Sequence, residues 1–372
     1  MWPWHKSHLW DLQHCSTDLT GKTAVVTGAN SGIGKAVSQE LARRGARVIL
    51  ACRNWECGQQ ALAEIQVASK NNCLLLGQVD LSSMASIRSF SWWLLQECPE
   101  IHLLVNNAGT CGTCLELLPP DTLQEPPFQF RDPKTGTPKP NWCTLLNNFN
   151  LYDFPRNLPK RALISPLPPT MLGPFCLQIY SETPILVSAT IQRPNEHLGD
   201  KYVKDRLHDV SRALQRAGSA RVVNVSSFRH AHGYVDEEHL TGAGKPLIFN
   251  QNYDCSKLLL TSFTGELARR LQGTGVTVNS VEPGIVYTSI MKHFSWSYRF
   301  LFWLFSFFCK DVRQGAVPVL YLSLAKELDG ISGKYFSSSC RIILPAKAAQ
   351  DPQVAQRLWN ATVQLTNLDK MD

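Results

Sequence analysis

The 372-residue chain predicts an α/β fold, a doubly wound parallel sheet in a single domain, on three observations. Short β-rich runs alternate with amphipathic stretches from Thr20 to Gly109. The alternation resumes beyond Arg221, and a glycine-rich turn joins the first strand to the first helix. Alternation of this kind is the pattern of βαβ units. Taken in order, Thr23–Thr27, Arg47–Cys52, Leu74–Val79 and Leu103–Val105 predict strands from their β-branched and aliphatic content. Between them Gly34–Arg44, Trp55–Ala68 and Met84–Gln96 repeat apolar residues three and four apart, which predicts crossover helices. Helical spacing returns over Val203–Ala217, followed by a strand at Arg221–Val225, a helix at Tyr253–Leu271 and a strand at Val276–Val281.

The interval from Thr110 to about Gly199 breaks this pattern. Prolines come in pairs (Pro119-Pro120, Pro126-Pro127, Pro168-Pro169), Asp132 to Gly136 is turn material, and periodicity disappears. Residues 110–199 therefore read as a long irregular insertion within a domain spanning 20–345, with 1–19 as an N-terminal extension and 346–372 as a C-terminal helical tail.

Composition narrows the class. Hydrophobic residues make 44% and charged residues 18%, ordinary for a chain that buries a sizeable core. A charge of +7 and a pI near 8.8 suit an anionic cofactor or an acidic membrane surface, but no Lys/Arg block marks a nucleic-acid arm. The twelve cysteines, Cys15, Cys52, Cys57, Cys73, Cys98, Cys255 and Cys309 among them, are scattered, with no two C-x-x-C clusters paired as zinc would need, and a reducing compartment is the simplest reading. Met1 to Lys6 lack the apolar stretch of a signal peptide. The best apolar run, Phe300 to Cys309, is half the length of roughly 20 residues that a spanning helix needs.

The glycine-rich turn is Thr27-Gly28-Ala29-Asn30-Ser31-Gly32-Ile33-Gly34. Between a strand and a helix, glycines let a pyrophosphate approach the backbone and the helix N-terminus, because any Cβ would hold it away. The form T-G-x-x-x-G-x-G resembles the cofactor loop of the short-chain dehydrogenase/reductase family, a Rossmann-type fold. Asn106-Asn107-Ala108-Gly109 resembles that family's N-N-A-G element, from which Asn107, Ala108 and Gly109 are carried over as cofactor-site residues. Val79-Asp80-Leu81 resembles its third-strand end, where Asp80 would contact adenine. At the end of the second strand a carboxylate would select NAD, whereas an Arg suits a 2′-phosphate. Here the strand ends Ala51-Cys52-Arg53-Asn54, so Arg53 points to NADP(H). Lys35 either assists or is a surface lysine.

Tyr253 and Lys257 stand four apart at the start of a predicted helix. They share a face there, so an ammonium can lower a phenol's pKa from about 10 toward a range useful for acid–base work. Such a pair can move a proton at a carbonyl oxygen while hydride moves to or from a nicotinamide. By the same resemblance Ser227, rather than Ser226, is the serine that hydrogen-bonds the substrate oxygen, and Tyr253 and Lys257 also meet the cofactor. The resemblance of Pro283-Gly284-Ile285-Val286-Tyr287-Thr288 to the family's P-G-x-V-x-T segment assigns Pro283, Gly284 and Thr288 to the nicotinamide. The family's relay Asn is not found between Gly109 and Arg221; Asn147, Asn148 and Asn150 stand in a proline-bounded context and are not given the role.

Within the family, Ala46 to Arg53, Glu266 to Thr277, Leu304-Phe305-Ser306, Gly333 to Phe336 and Arg357 to Asn360 resemble the retinol dehydrogenase group, over residues 20–109 and about 214–366. This implies hydride transfer between NADP(H) and a hydrophobic aldehyde or alcohol, retinal/retinol foremost, with retinol and lipid metabolism as its setting. A steroid or other lipid carbonyl is one alternative, and a catalytically impaired cofactor-binding or interaction protein is another. The apolar stretch from Phe294 to Phe308 (Trp296, Phe300, Phe302, Trp303, Phe305) would line a substrate tunnel or touch a membrane; its bland reading is a buried helix or a dimer contact. The resemblance implies the cytosolic face of the endoplasmic reticulum membrane, with the cytoplasm as the alternative, and is compatible with a homo-oligomer. No metal and no nucleic acid is expected. Asn224-Val225-Ser226 and Asn360-Ala361-Thr362 fit the glycosylation pattern but are expected to go unused.

Overall fold

The computed structural model describes residues 10–109, 209–235, 249–286 and 310–365. All belong to one compact unit; a second unit, Thr113–Met171, falls outside the described residues, as do the whole 110–199 interval and the 294–308 stretch.

In chain order the elements are β1 (Thr23–Thr27), α1 (Gly32–Arg43), β2 (Arg47–Cys52), α2 (Trp55–Ser69), β3 (Leu74–Gln78), α3 (Met84–Glu97) and β4 (Leu103–Asn106). After the undescribed interval come α4 (Asp209–Arg216), β5 (Ala220–Val225), a 3₁₀ turn (Phe228–His232) and α5 (Phe249–Arg270). They are followed by β6 (Val276–Val281), α6 (Val312–Leu324), β7 (Tyr335–Phe336), β8 (Ile342–Ile343) and α7 (Pro352–Leu365). The sheet order is β3-β2-β1-β4-β5-β6-β7-β8, parallel except for the β7–β8 pair. β1 thus lies between β2 and β4, and the winding direction reverses there. Ligands of open α/β sheets bind outside the carboxyl ends of the strands at such a reversal.

Two apolar layers cover the sheet, and the strand period of two sorts side chains between them. Ala24, Val26, Val48 and Leu50 face Val37 and Leu41 of α1, Ile65 of α2 and Val319 of α6. Val25, Ile49 and Ala51 join the opposite layer with Phe90 of α3, Leu214 of α4, Phe263 of α5 and Trp359 of α7. Capping sets where helices begin. The Asn54 side chain accepts from Cys57 N–H at 2.7 Å, and Asp311 and Gln314 form a capping box that starts α6.

The strand expectations hold to within a residue, but two helix starts shift. α1 begins at Gly32, so Gly34 lies within its first turn. α5 begins at Phe249, which puts Tyr253 in its second turn rather than at its start. Over their described parts the N-terminal extension and the C-terminal helical tail both pack on the domain. Arg44 holds the carbonyls of Leu12, Cys15 and Thr17, and the Trp10 ring lies 5.4 Å from that of Tyr321. α7 packs on α5, with Trp359 stacked 5.5 Å from Phe263 and the Arg270 guanidinium 3.9 Å from its ring centroid. Asn224 is fully buried in β5, donating to Thr264 Oγ1 and accepting from Asn106 Nδ2, so the first glycosylation pattern sits in the core. Among the described residues no helix is long and apolar enough to cross a membrane, and no cluster of metal-ligating side chains occurs.

Candidate active site

The described candidate residues lie in the loops and helices that follow the carboxyl ends of β1 to β6, along one edge of the sheet. After β1 the chain turns at Gly28 (φ +64°) into Gly32 (φ +55°), left-handed conformations that favour glycine. The close approach is specific: a Cβ on Gly34 would lie 2.4 Å from Asn107 Nδ2 and 2.5 Å from the Gly28 carbonyl oxygen. Asn107 in turn donates to the Thr27 carbonyl at 3.0 Å. Thr27 is 2% exposed, and its hydroxyl oxygen accepts the backbone N–H of both Asn107 and Ala108 at 3.0 Å. Its part is to weld the glycine turn to the N-N-A-G turn. Asn30 and Ile33 are half-buried, and Ser31, the exposed N-cap of α1, uses no side-chain cap hydrogen bond. No carboxylate occupies the first turn of α1, so its N-terminal amides face an environment suited to phosphate.

Arg53 is exposed at the end of β2, and its carbonyl accepts from Gln78 Nε2. Lys35 pairs instead with Glu64 of α2. Asp80 follows β3; its Oδ1 accepts from the backbone and hydroxyl of Ser82, shaping the turn that carries it. Burial pushes the Cys52 thiol up to about 11, which keeps it protonated beside the glycine turn.

The two serines after β5 separate cleanly. Ser226 is locked inward: its hydroxyl meets Thr261 Oγ1 at 2.8 Å and the Lys257 carbonyl at 3.3 Å. Ser227 caps the 3₁₀ turn, and its Oγ accepts only the Arg229 N–H among the described contacts, leaving its proton to give. Lys257 is 4% exposed on α5, its Nζ donating to the Val225 carbonyl at 3.3 Å and lying 5.4 Å from the Tyr253 ring centroid. Ser227, Tyr253 and Lys257 therefore gather at the carboxyl end of β5. After β6, Pro283 leads into Gly284 (φ +86°), braced where Lys310 N–H donates to the Ile285 carbonyl. Thr288 lies outside the described residues.

Several contributors lie beyond motif reasoning. Arg229 grips Asp254 through two bonds of 2.5 and 2.7 Å, tying the serine turn to the residue beside Tyr253. A Cβ on Gly233 would lie 2.5 Å from the Asp254 carbonyl oxygen, so that turn sits directly on α5. His230 bonds the Ser227 carbonyl, and Tyr335 donates to Glu282 beside Pro283. In the sequence Arg229 and His230 are set apart only by standing two and three residues after Ser227, which does not say what they touch.

A doubly wound sheet with a glycine turn at its reversal point defines a dinucleotide-binding α/β protein. The short chain dehydrogenase family profile matches residues 22–125 and 206–297, and the chain belongs to that family of NAD(P)(H)-using oxidoreductases. It is 32% identical to human retinol dehydrogenase 11 over 95% of this chain and 88% of that protein. It is 34% identical to bovine retinol dehydrogenase 12 over 95% and 90%. These alignments span the 110–199 interval, where the motif resemblance stopped, although the family profile breaks between 125 and 206. The fold is also that of a Beutenbergia cavernae structure described as an NAD(P)-dependent gluconate 5-dehydrogenase with NADP at low occupancy. That likeness has a TM-score of 0.53 and 19% identity, over 86% of this chain and 96% of that one.

Proposed function

We propose that this chain is an NADP(H)-dependent oxidoreductase that interconverts a hydrophobic aldehyde and its alcohol, with retinal/retinol as its substrate pair. The observation that carries the reading is the convergence of Ser227, Tyr253 and Lys257 at the carboxyl end of β5, with the Ser227 hydroxyl proton uncommitted among the described residues. The cofactor supplies and receives the hydride. Ser227 donates a hydrogen bond to the carbonyl oxygen and orients it. The Tyr253 phenol gives its proton to that oxygen as hydride adds to the carbon, and takes it back when the alcohol is oxidised. The buried Lys257 ammonium stabilises the phenolate so formed.

Arg53 supports NADP(H), being an exposed cation where a carboxylate would select the other cofactor. The retinoid assignment rests on the named relatives. It is favoured by exposed Phe228 and Ile285, which directly follow Ser227 and Gly284 and offer apolar surface at the site. A tunnel or membrane contact through 294–308, and a place on the endoplasmic reticulum surface, belong to this same reading.

Purified protein given NADPH and all-trans-retinal should consume NADPH, and Tyr253→Phe should lower the rate by at least about 10²-fold, the lower end of general acid–base contributions. Undiminished turnover in that variant would sink the assignment. A panel of steroid and lipid carbonyls separates the substrate alternatives. That no stretch of sequence between Gly109 and Arg221 resembles the family's relay-Asn motif favours a second reading, a catalytically impaired cofactor-binding protein, and NADPH binding with no turnover of any carbonyl would establish it.

A further inference from the structure

His230 is 5% exposed, and both of its ring nitrogens are engaged. Nδ1 lies 2.8 Å from the Ser227 carbonyl oxygen and 3.3 Å from Tyr335 Oη, and Nε2 lies 3.0 Å from the backbone nitrogen of Ala346. These partners settle the tautomer. A backbone N–H can only donate, so Nε2 carries a lone pair and Nδ1 carries the proton. That proton is directed at the Ser227 carbonyl. The Tyr335 hydroxyl donates to Glu282 Oε2 at 2.9 Å, which leaves its oxygen lone pairs facing Nδ1–H. Burial, Glu282 and Tyr253 hold the Tyr335 phenol above its ordinary value, so it remains a donor. One imidazole thus joins the catalytic-serine peptide, β7 and the segment after β8, and through the Tyr335 hydroxyl it reaches Glu282, the residue before Pro283-Gly284.

We propose that His230, held as the neutral Nδ1–H tautomer, is a positioning residue that fixes the Ser227 peptide against the Pro283–Gly284 turn and so aims the Ser227 hydroxyl at the reacting carbonyl. The proposal rests on the assignment of Ser227 above. The charged and titratable groups around the ring are Glu282 from the end of β6, Tyr335 from β7 and His232 from its own turn; the segment after β8 presents the Ala346 N–H. A second ring proton would point at that N–H and forfeit its bond. Burial, the largest influence on His230, also disfavours the cation.

The test has two arms. With ring-¹⁵N-labelled histidine in the full chain, one imidazole of the ten should show the Nδ1–H pattern and keep it from about pH 8 to about pH 5.5. It should vanish in His230→Asn. An Nε2–H pattern for that ring, or titration near its ordinary value, overturns the proposal. In the second arm, His230→Phe keeps ring volume without the bonds, and kcat for retinal should fall about 10- to 100-fold, the rate equivalent of one or two lost buried hydrogen bonds. The Kd for NADPH should stay within about twofold, because the altered positioning acts on the transition state alone. His230→Asn, whose amide can reoccupy the Nδ1 position, should recover most of kcat. Unchanged kcat in the Phe variant, or parallel loss of kcat and NADPH binding in both variants, overturns it. The spectrum is read without substrate, so a wild type that turns over no carbonyl defeats the substrate assignment while His230 is still judged by its own resonance.

Discussion

Arg53 shows how much one side chain can decide. It is exposed at the end of β2, beside Asn54, whose carboxamide oxygen caps α2, and under the proposed function its guanidinium would meet the 2′-phosphate. Arg53→Asp should raise the KM for NADPH about 10- to 100-fold, the loss of one charge-assisted hydrogen bond. It should leave kcat nearly unchanged and improve the use of NADH; an unaltered cofactor ratio in steady-state kinetics would remove Arg53 from the site. At this scale the proximity of Tyr253 and Lys257 was legible, because helical spacing alone puts the two on one face, and Lys257 Nζ lies 5.4 Å from the Tyr253 ring centroid. Which serine faces the substrate was an inference from resemblance, and the hydrogen bonds of Ser226 to Thr261 and Lys257 supply the physical ground for preferring Ser227. His230 was not legible at all. Nothing in Ser-Ser-Phe-Arg-His says that the ring turns back to the Ser227 carbonyl.

At the scale of elements, the glycine turn, α1 and the N-N-A-G turn form one unit. Gly34 is the contact point, and its missing Cβ matters because the atoms it would strike are the Asn107 amide and the Gly28 backbone. Gly34→Ala must push these apart, and overpacking of this kind costs about 1–3 kcal/mol. The expected result is a lower Tm together with NADPH binding weakened by at least about tenfold, since the displaced atoms belong to the turn proposed to hold the phosphates. Thermal melts and cofactor titration check both, and an intact Kd would separate Gly34 from cofactor binding. Periodicity placed these elements to within a residue or two. It erred at the start of α5, where four more residues continue the helix before Tyr253. Local pattern cannot see that extension because Phe249 to Asn252 (Phe-Asn-Gln-Asn) carry little helical preference of their own.

For the molecule as a whole, the response to acid follows from which groups are held away from their ordinary pKa. Burial lowers His230 and His102 below 6.5, so the unfolded chain binds those protons more readily than the native one. Their contribution to stability is complete above about 6.5 and is lost as pH falls from there toward the native values. Glu266, 6% exposed and held below 4.5 chiefly by hydrogen bonds from Arg269, adds a second stage that is lost at lower pH. Tm measured from about pH 8 to about pH 4 should therefore fall in two steps, and His230→Asn should shrink the first; a flat profile through pH 6 would contradict this linkage. The sequence by itself determined the α/β class, the strand order of the glycine turn, serine, Tyr-Lys pair and Pro-Gly turn, and the cofactor class those motifs imply. These rest on short-range regularities, a period of two or 3.6 and fixed spacings within a few residues, which any window of the chain displays. Only the tertiary structure decided that residues 10–19 and α7 are wound into the domain, and that His230 meets Tyr335 and Ala346 across separations of 105 and 116 residues. Contacts of that range depend on how the sheet stacks its strands, and the hydrogen-bond partner that sets a tautomer is written nowhere near the ring it controls.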